Sequence, residues 1–166
     1  MFKKYRSPVS PFSSIPFYFL IVITILSGCA SSSYLKGISP TGEKVYFDKT
    51  PIEDTDAFQT YLQTPQSEVD KQHYLFQRLK SATDLEYLHD GAWYNPLQAY
   101  RGGMWLMRNR YKKGQNTRDF IRKYVERSDA GKIHVVKYPD GSLHEGGCIL
   151  YNELDRLEET AAKRTV

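Results

Sequence analysis

Leu85-Glu-Tyr-Leu-His-Asp-Gly-Ala-Trp-Tyr-Asn-Pro-Leu-Gln98 decides the fold class. Asp90-Gly91 suits a type I′ turn, which needs positive φ at both central residues, so the aromatic and aliphatic residues on either side read as a hairpin. The hairpin passes directly into a helix start. Asn95 can cap, Pro96 fits the first helical position, and Gln98 can close a capping box. Behind it Leu97, Tyr100, Met104, Met107 and Tyr111 recur at spacings of three and four, and Gly114 is the expected stop.

Upstream, Ser67-Glu-Val-Asp70 opens another helix whose apolar face is Val69, Leu75, Phe76, Leu79 and Ala82. Downstream, Thr117 starts a third helix with Phe120, Ile121, Tyr124 and Val125. Lys132 to Tyr138 alternates, and Pro139-Asp140-Gly141 turns the chain into Ser142-Leu-His144, a second hairpin. A last helix carries Leu150, Leu154 and Leu157, with a frayed tail expected over 161–166. Helices and hairpins in this order predict an α+β fold: a single small domain over 67–160, of about four helices and two short hairpins, not a βαβ array. Gly102-Gly103 inside a helix implies close backbone packing or a kink.

Residues 30–66 look different. Ser31-Ser32-Ser33 opens them, Pro40, Gly42, Pro51 and Pro65 interrupt them, and Glu43, Asp48, Glu53, Asp54 and Asp56 outnumber Lys36, Lys44 and Lys49. Together with Cys29 they read as an acidic tether, 29–66, with a possible short strand at Gly42–Phe47.

The N-terminus has the three parts of an export signal. Lys3, Lys4 and Arg6 precede the apolar run Phe17–Leu26, which is too short to span a bilayer as a helix, and small residues follow. Leu26-Ser27-Gly28-Cys29 resembles the bacterial lipobox. That resemblance implies cleavage after residue 28 and a diacylglycerol on Cys29; the alternative is an ordinary signal peptide or anchor with an incidental cysteine. Acyl chains on Cys29 would make the membrane the first partner. Ala30, where an Asp would favour inner-membrane retention, points to the periplasmic face of the outer membrane.

Processing alters the charge argument. Removing Lys3, Lys4 and Arg6 takes Lys+Arg from 23 to 20 against 19 acids, so a net charge of +4 becomes +1. The basicity of the whole chain is therefore no argument for nucleic-acid binding. With 13 Tyr, 8 Phe and 2 Trp the chain has the apolar mass of a folded domain. Of its two cysteines, acylated Cys29 would leave Cys148 unpaired, and no CxxC, HExxH or other metal or cofactor pattern is present.

Tyr87-Leu-His-Asp-Gly-Ala-Trp-Tyr94, Ala99, Phe120 and Ile121, with Thr117, Ser128 and Gly131 fitting loosely, resemble a family of small exported bacterial proteins of unknown function. His89-Asp90 replaces its Arg-Asn, and Gly102 stands where it often has His. The resemblance implies an exported α+β domain and transfers no chemistry.

Two residue sets could carry chemistry. Cys148 after Gly146-Gly147 near a helix start, with His144 four residues before it, could form a nucleophilic pair; Cys148 as a small buried residue is the plainer alternative. Between residues 101 and 127 the cations Arg101, Arg108, Arg110, Lys112, Lys113, Arg122 and Lys123 interleave with Trp105 and tyrosines. Such a face could meet an anionic lipid, an acidic glycan or an envelope protein, or be the solvated side of two amphipathic helices. The expected function is a lipid-anchored, non-enzymatic binding or assembly module of the envelope. A Cys148 hydrolase and an accessory of a secretion or outer-membrane complex are the alternatives.

Overall fold

The computed structural model describes residues 34–164. Cys29 and the export signal lie outside the described residues. The protein is α+β: helices pack against one antiparallel four-stranded sheet.

The reading around Asp90-Gly91 is matched by its dihedrals. Asp90 and Gly91 have φ of 48° and 89°, and they join β1 (Glu86–His89) to β2 (Ala92–Tyr94). The second hairpin, β3 (Val135–Lys137) and β4 (Leu143–Glu145), does not stand apart. β1 pairs with β3, giving the order β2-β1-β3-β4, with Leu88 opposite Val135 and Tyr87 opposite Val136. Merging the hairpins gives β1 and β3 a partner on each side, so their backbone polar groups need no water.

Both expected capping boxes form. Ser67 and Asp70 close the first turn of the helix Glu68–Ser81, and Asn95 and Gln98 close that of Pro96–Arg110. The latter ends at Arg110 rather than running to Gly114: Tyr111 is already extended, with ψ of 137°. The third helix is capped by Asn116 and is brief, Thr117–Phe120, before widening into a π turn over Ile121–Val125.

Residues 34–66 are not a tether, and the domain does not begin at Ser67. Phe47, Ile52, Phe58 and Tyr61 are buried in the common core. Thr55 caps a helix over Asp56–Leu62, its hydroxyl accepting from the Phe58 amide at 3.3 Å. In chain order the helices are therefore α1 (Asp56–Leu62), α2 (Glu68–Ser81), α3 (Pro96–Arg110), α4 (Thr117–Phe120) and α5 (Gly146–Arg164).

The irregular backbone before α1 is held by side chains of α5. The Asn152 amide donates to the carbonyls of Gly37 at 2.8 Å and Val45 at 2.9 Å. The Glu153 carboxylate accepts from the Phe47 amide at 2.9 Å, and Arg156 reaches the Thr50 carbonyl at 2.9 Å. Prolines and acids made this segment resemble a linker, while the groups that order it lie about a hundred residues away in sequence.

Glu153 also faces Arg78 of α2 at 3.5 Å, and both are almost wholly buried. Burial raises the Glu153 carboxyl above its ordinary range, and Arg78 pulls the other way. The pair thus ties α2, α5 and the N-terminal segment together. The last residues are not frayed from 161. α5 continues to Arg164, Ala161 packs on the core, and the Arg164 guanidinium lies 5.3 Å from the Phe58 ring centre. All the buried apolar residues of 34–164 but Val135 join one cluster, so this segment carries its own core.

Candidate binding site

α3 lies across α2 at unusually close range because Gly103 has no side chain: a Cβ there would run into the Phe76 ring. Gly102 is its opposite. A Cβ at Gly102 would meet nothing within 4 Å, because it faces a cleft. The adjacent glycines do separate jobs, one admitting a helix and the other leaving space.

The cleft has a volume of about 400 Å³ and opens between α3, the sheet and the segment after α4. Phe76, Leu79, Leu88, Tyr94, Leu106 and Val125 give it apolar walls, and Trp105, 54 % exposed, stands at its rim. A volume in this range, apolar except for a few converging polar groups, is the usual character of a small-molecule site.

The polar groups lie next to one another. The β1–β3 register that sets Leu88 opposite Val135 also brings His89 beside His134. Their ring nitrogens, Nδ1 of His89 and Nε2 of His134, are 2.7 Å apart. Nδ1 of His134 is 2.6 Å from the Val125 carbonyl, which can only accept, so that nitrogen carries a proton. In neutral His134 Nε2 is then the acceptor, and His89 donates to it from Nδ1.

Beyond this pair, Nε2 of His89 lies 3.5 Å from Asp90, and the Ser128 hydroxyl donates to Asp90 at 2.6 Å. Burial lowers the His134 pKa despite the Val125 carbonyl, favouring the neutral ring. The Ser128 hydrogen bond holds the Asp90 carboxyl below its ordinary value. Sequence reading missed this cluster. His89 and His134 are far apart in the chain, and only the pairing of the two hairpins joins them.

No protein family, curated protein or solved structure matches this chain.

The sites expected from sequence fall elsewhere. Sγ of Cys148 is 3.8 Å from the Glu145 carboxylate, and burial together with Glu145 raises the thiol pKa. His144 is buried on β4, its ring edge-on to Tyr138 at 5.2 Å. Among the described residues no hydrogen bond joins His144 to Cys148. The pair fails because strand alternation turns His144 toward the core, while the thiol sits beside an acid that opposes its ionisation.

The cations of 101–127 have differing surroundings. Lys112, Lys113, Arg122 and Lys123 share a shallow depression with Asp119, which pairs with Arg122 at 2.6 Å. Arg110 lies 3.7 Å from Asp129, and Arg118 is held by Asp155 and Glu158, each at 2.8 Å. Arg101 and Arg108 are exposed on α3. Of the expected binding residues, Trp105 lies on the cleft itself.

Proposed function

We propose that this chain is an exported, lipid-anchored envelope protein whose domain is a non-enzymatic binding module, with the cleft beneath α3 as its ligand site. The observation that carries the binding role is the composition of the cleft: apolar walls about 400 Å³ in volume, polar groups gathered at one end, and an unsubstituted Gly102 in the lining. The export signal and the lipobox-like Leu26-Ser27-Gly28-Cys29 support the anchored location, on the periplasmic face of the outer membrane. A stand-off tether is not part of this reading, since residues 34–66 are folded into the domain. The hydrolase alternative has little support, because an effective cysteine nucleophile needs a lowered pKa and Cys148 has a raised one.

Two measurements test the reading. Metabolic labelling with palmitate should mark the native chain and not Cys29→Ala; equal labelling would remove the anchor. An uncharged apolar dye such as Nile red should bind the folded mature chain with enhanced fluorescence, and Gly102→Leu, which fills the cleft, should abolish the enhancement. If that variant retains the fold and binds the dye normally, the cleft is not the site.

A further inference from the structure

We propose that the cleft receives a single-tailed amphiphile with an anionic head, the tail running beneath α3 past Gly102 and the head meeting Arg127 at the rim. This rests on the cleft being the ligand site, and adds the chemical class of the ligand.

The tail follows from the walls. Apart from Gln98 on α3, their charged, histidine and serine side chains come from β1, its turn and the segment after α4, leaving a mostly apolar remainder in which water would find few partners. At roughly 30 Å³ per methylene-sized unit, comparable to a water molecule, the space holds a chain of about a dozen carbons. Gly102 keeps the path open, and exposed Trp105 gives the mouth an apolar collar.

The head follows from charge. Asp90, Arg127 and Asp129 are the fully charged side chains on the lining. Asp90 accepts from the Ser128 hydroxyl and lies in the field of Lys132, and Asp129 lies beside Arg110. Arg127 donates from one Nη to the Gly131 carbonyl at 3.0 Å and forms no ion pair among the described residues. It is the cation on the lining and has no carboxylate partner among the described residues, and a guanidinium suits a carboxylate or phosphate. The His89–His134 pair has its inner nitrogens turned on each other and on Val125, so it shapes this end without supplying a competing anion.

The test uses residues 30–166, the proposed mature chain without its acylatable Cys29, whose core lies wholly within 34–164. cis-Parinaric acid, a fluorescent polyene carboxylate, serves as probe, with displacement by dodecanoate, dodecyl phosphate, dodecanol and dodecyltrimethylammonium below their micellar concentrations. The probe should bind, and at least one anionic competitor should displace it about ten-fold more strongly than the neutral and cationic ones. The relative strength of dodecanoate and dodecyl phosphate distinguishes a fatty carboxylate from a phosphate-headed lipid. Arg127→Gln, an exposed and fold-neutral change, should weaken the anionic competitors about ten-fold and leave dodecanol unchanged.

Equal displacement by the ammonium and anionic amphiphiles, or no effect of Arg127→Gln, overturns the proposal. If neither the probe nor the dye responds to Gly102→Leu, the cleft itself is the wrong site. If the dye responds and the amphiphiles do not, the ligand class alone is wrong.

Discussion

Phe58→Ala is the sharpest test of where this domain begins. Phe58 is fully buried, and its helix α1 lies within the stretch whose prolines and acids resemble a tether. A buried Phe→Ala change removes transfer free energy and leaves a cavity, together about 3–5 kcal/mol. The Arg164 guanidinium over the ring would lose its platform as well, a minor addition at a surface site. For a domain of this size each kcal/mol moves Tm by about 3–5 °C, so the expected fall is roughly 10–25 °C. Thermal unfolding of residues 30–166 followed by circular dichroism measures it, with Gln59→Ala, an exposed neighbour on α1 that loses only a hydrogen bond to the Glu53 carbonyl, as the control expected within about 1 kcal/mol. Deleting 34–66 goes further. Losing Phe47, Ile52, Phe58 and Tyr61 from the core removes roughly 6–12 kcal/mol at about 1.5–3 kcal/mol each, comparable to the whole stability of a domain. A cooperative melt at unchanged temperature for the deletion, or a Phe58→Ala shift no larger than that of Gln59→Ala, would refute the assignment of 34–66 to the core.

Other expected outcomes are briefer. Gly103→Ala should destabilise the domain by about 1–3 kcal/mol through collision with Phe76, whereas Gly102→Ala should be neutral or stabilise by up to about 1 kcal/mol; denaturant melts of the two variants compare them directly. Burial lowers the pKa of His134 and His144 in the fold, so the unfolded chain takes up their protons first: stability should be level above the ordinary imidazole value of 6.5 and decline as pH falls below it. A second decline is expected in the carboxylate range, where Asp155 and Glu158 lose their hydrogen bonds from Lys44, Lys71 and Arg118; those bonds outweigh burial and hold both pKa values low. Melts across pH check both steps, and His134→Gln should reduce the first. Cys148 should react with iodoacetamide at neutral pH more slowly than a free thiol of ordinary pKa, and Cys148→Ser should leave ligand binding unchanged.

Local chemistry was legible wherever the deciding groups are close in sequence. Asp90-Gly91 announces its turn because positive φ is a property of two adjacent residues. The Ser67/Asp70 and Asn95/Gln98 boxes are visible because cap and partner lie three residues apart. Hairpins, capped helices and hence the α+β class follow from such signals. The segment 34–66 was illegible for the converse reason. Its order depends on Asn152, Glu153 and Arg156, and no local period records a hydrogen bond across a hundred residues.

The same division separates the expected sites from the observed cleft. Sequence alone determined the two hairpins and the glycine pair in α3, written in contiguous residues, and the proposed export signal and lipobox-like Cys29 rest on sequence alone. Tertiary structure decided that the hairpins form one sheet, and this pairing, with the approach of α3 to α2, created the rest. It set His89 against His134, assigned one glycine to packing and the other to the cleft, and turned His144 into the core. Strand pairing and helix contact act through space, so they join residues whose relation the linear chain does not encode locally.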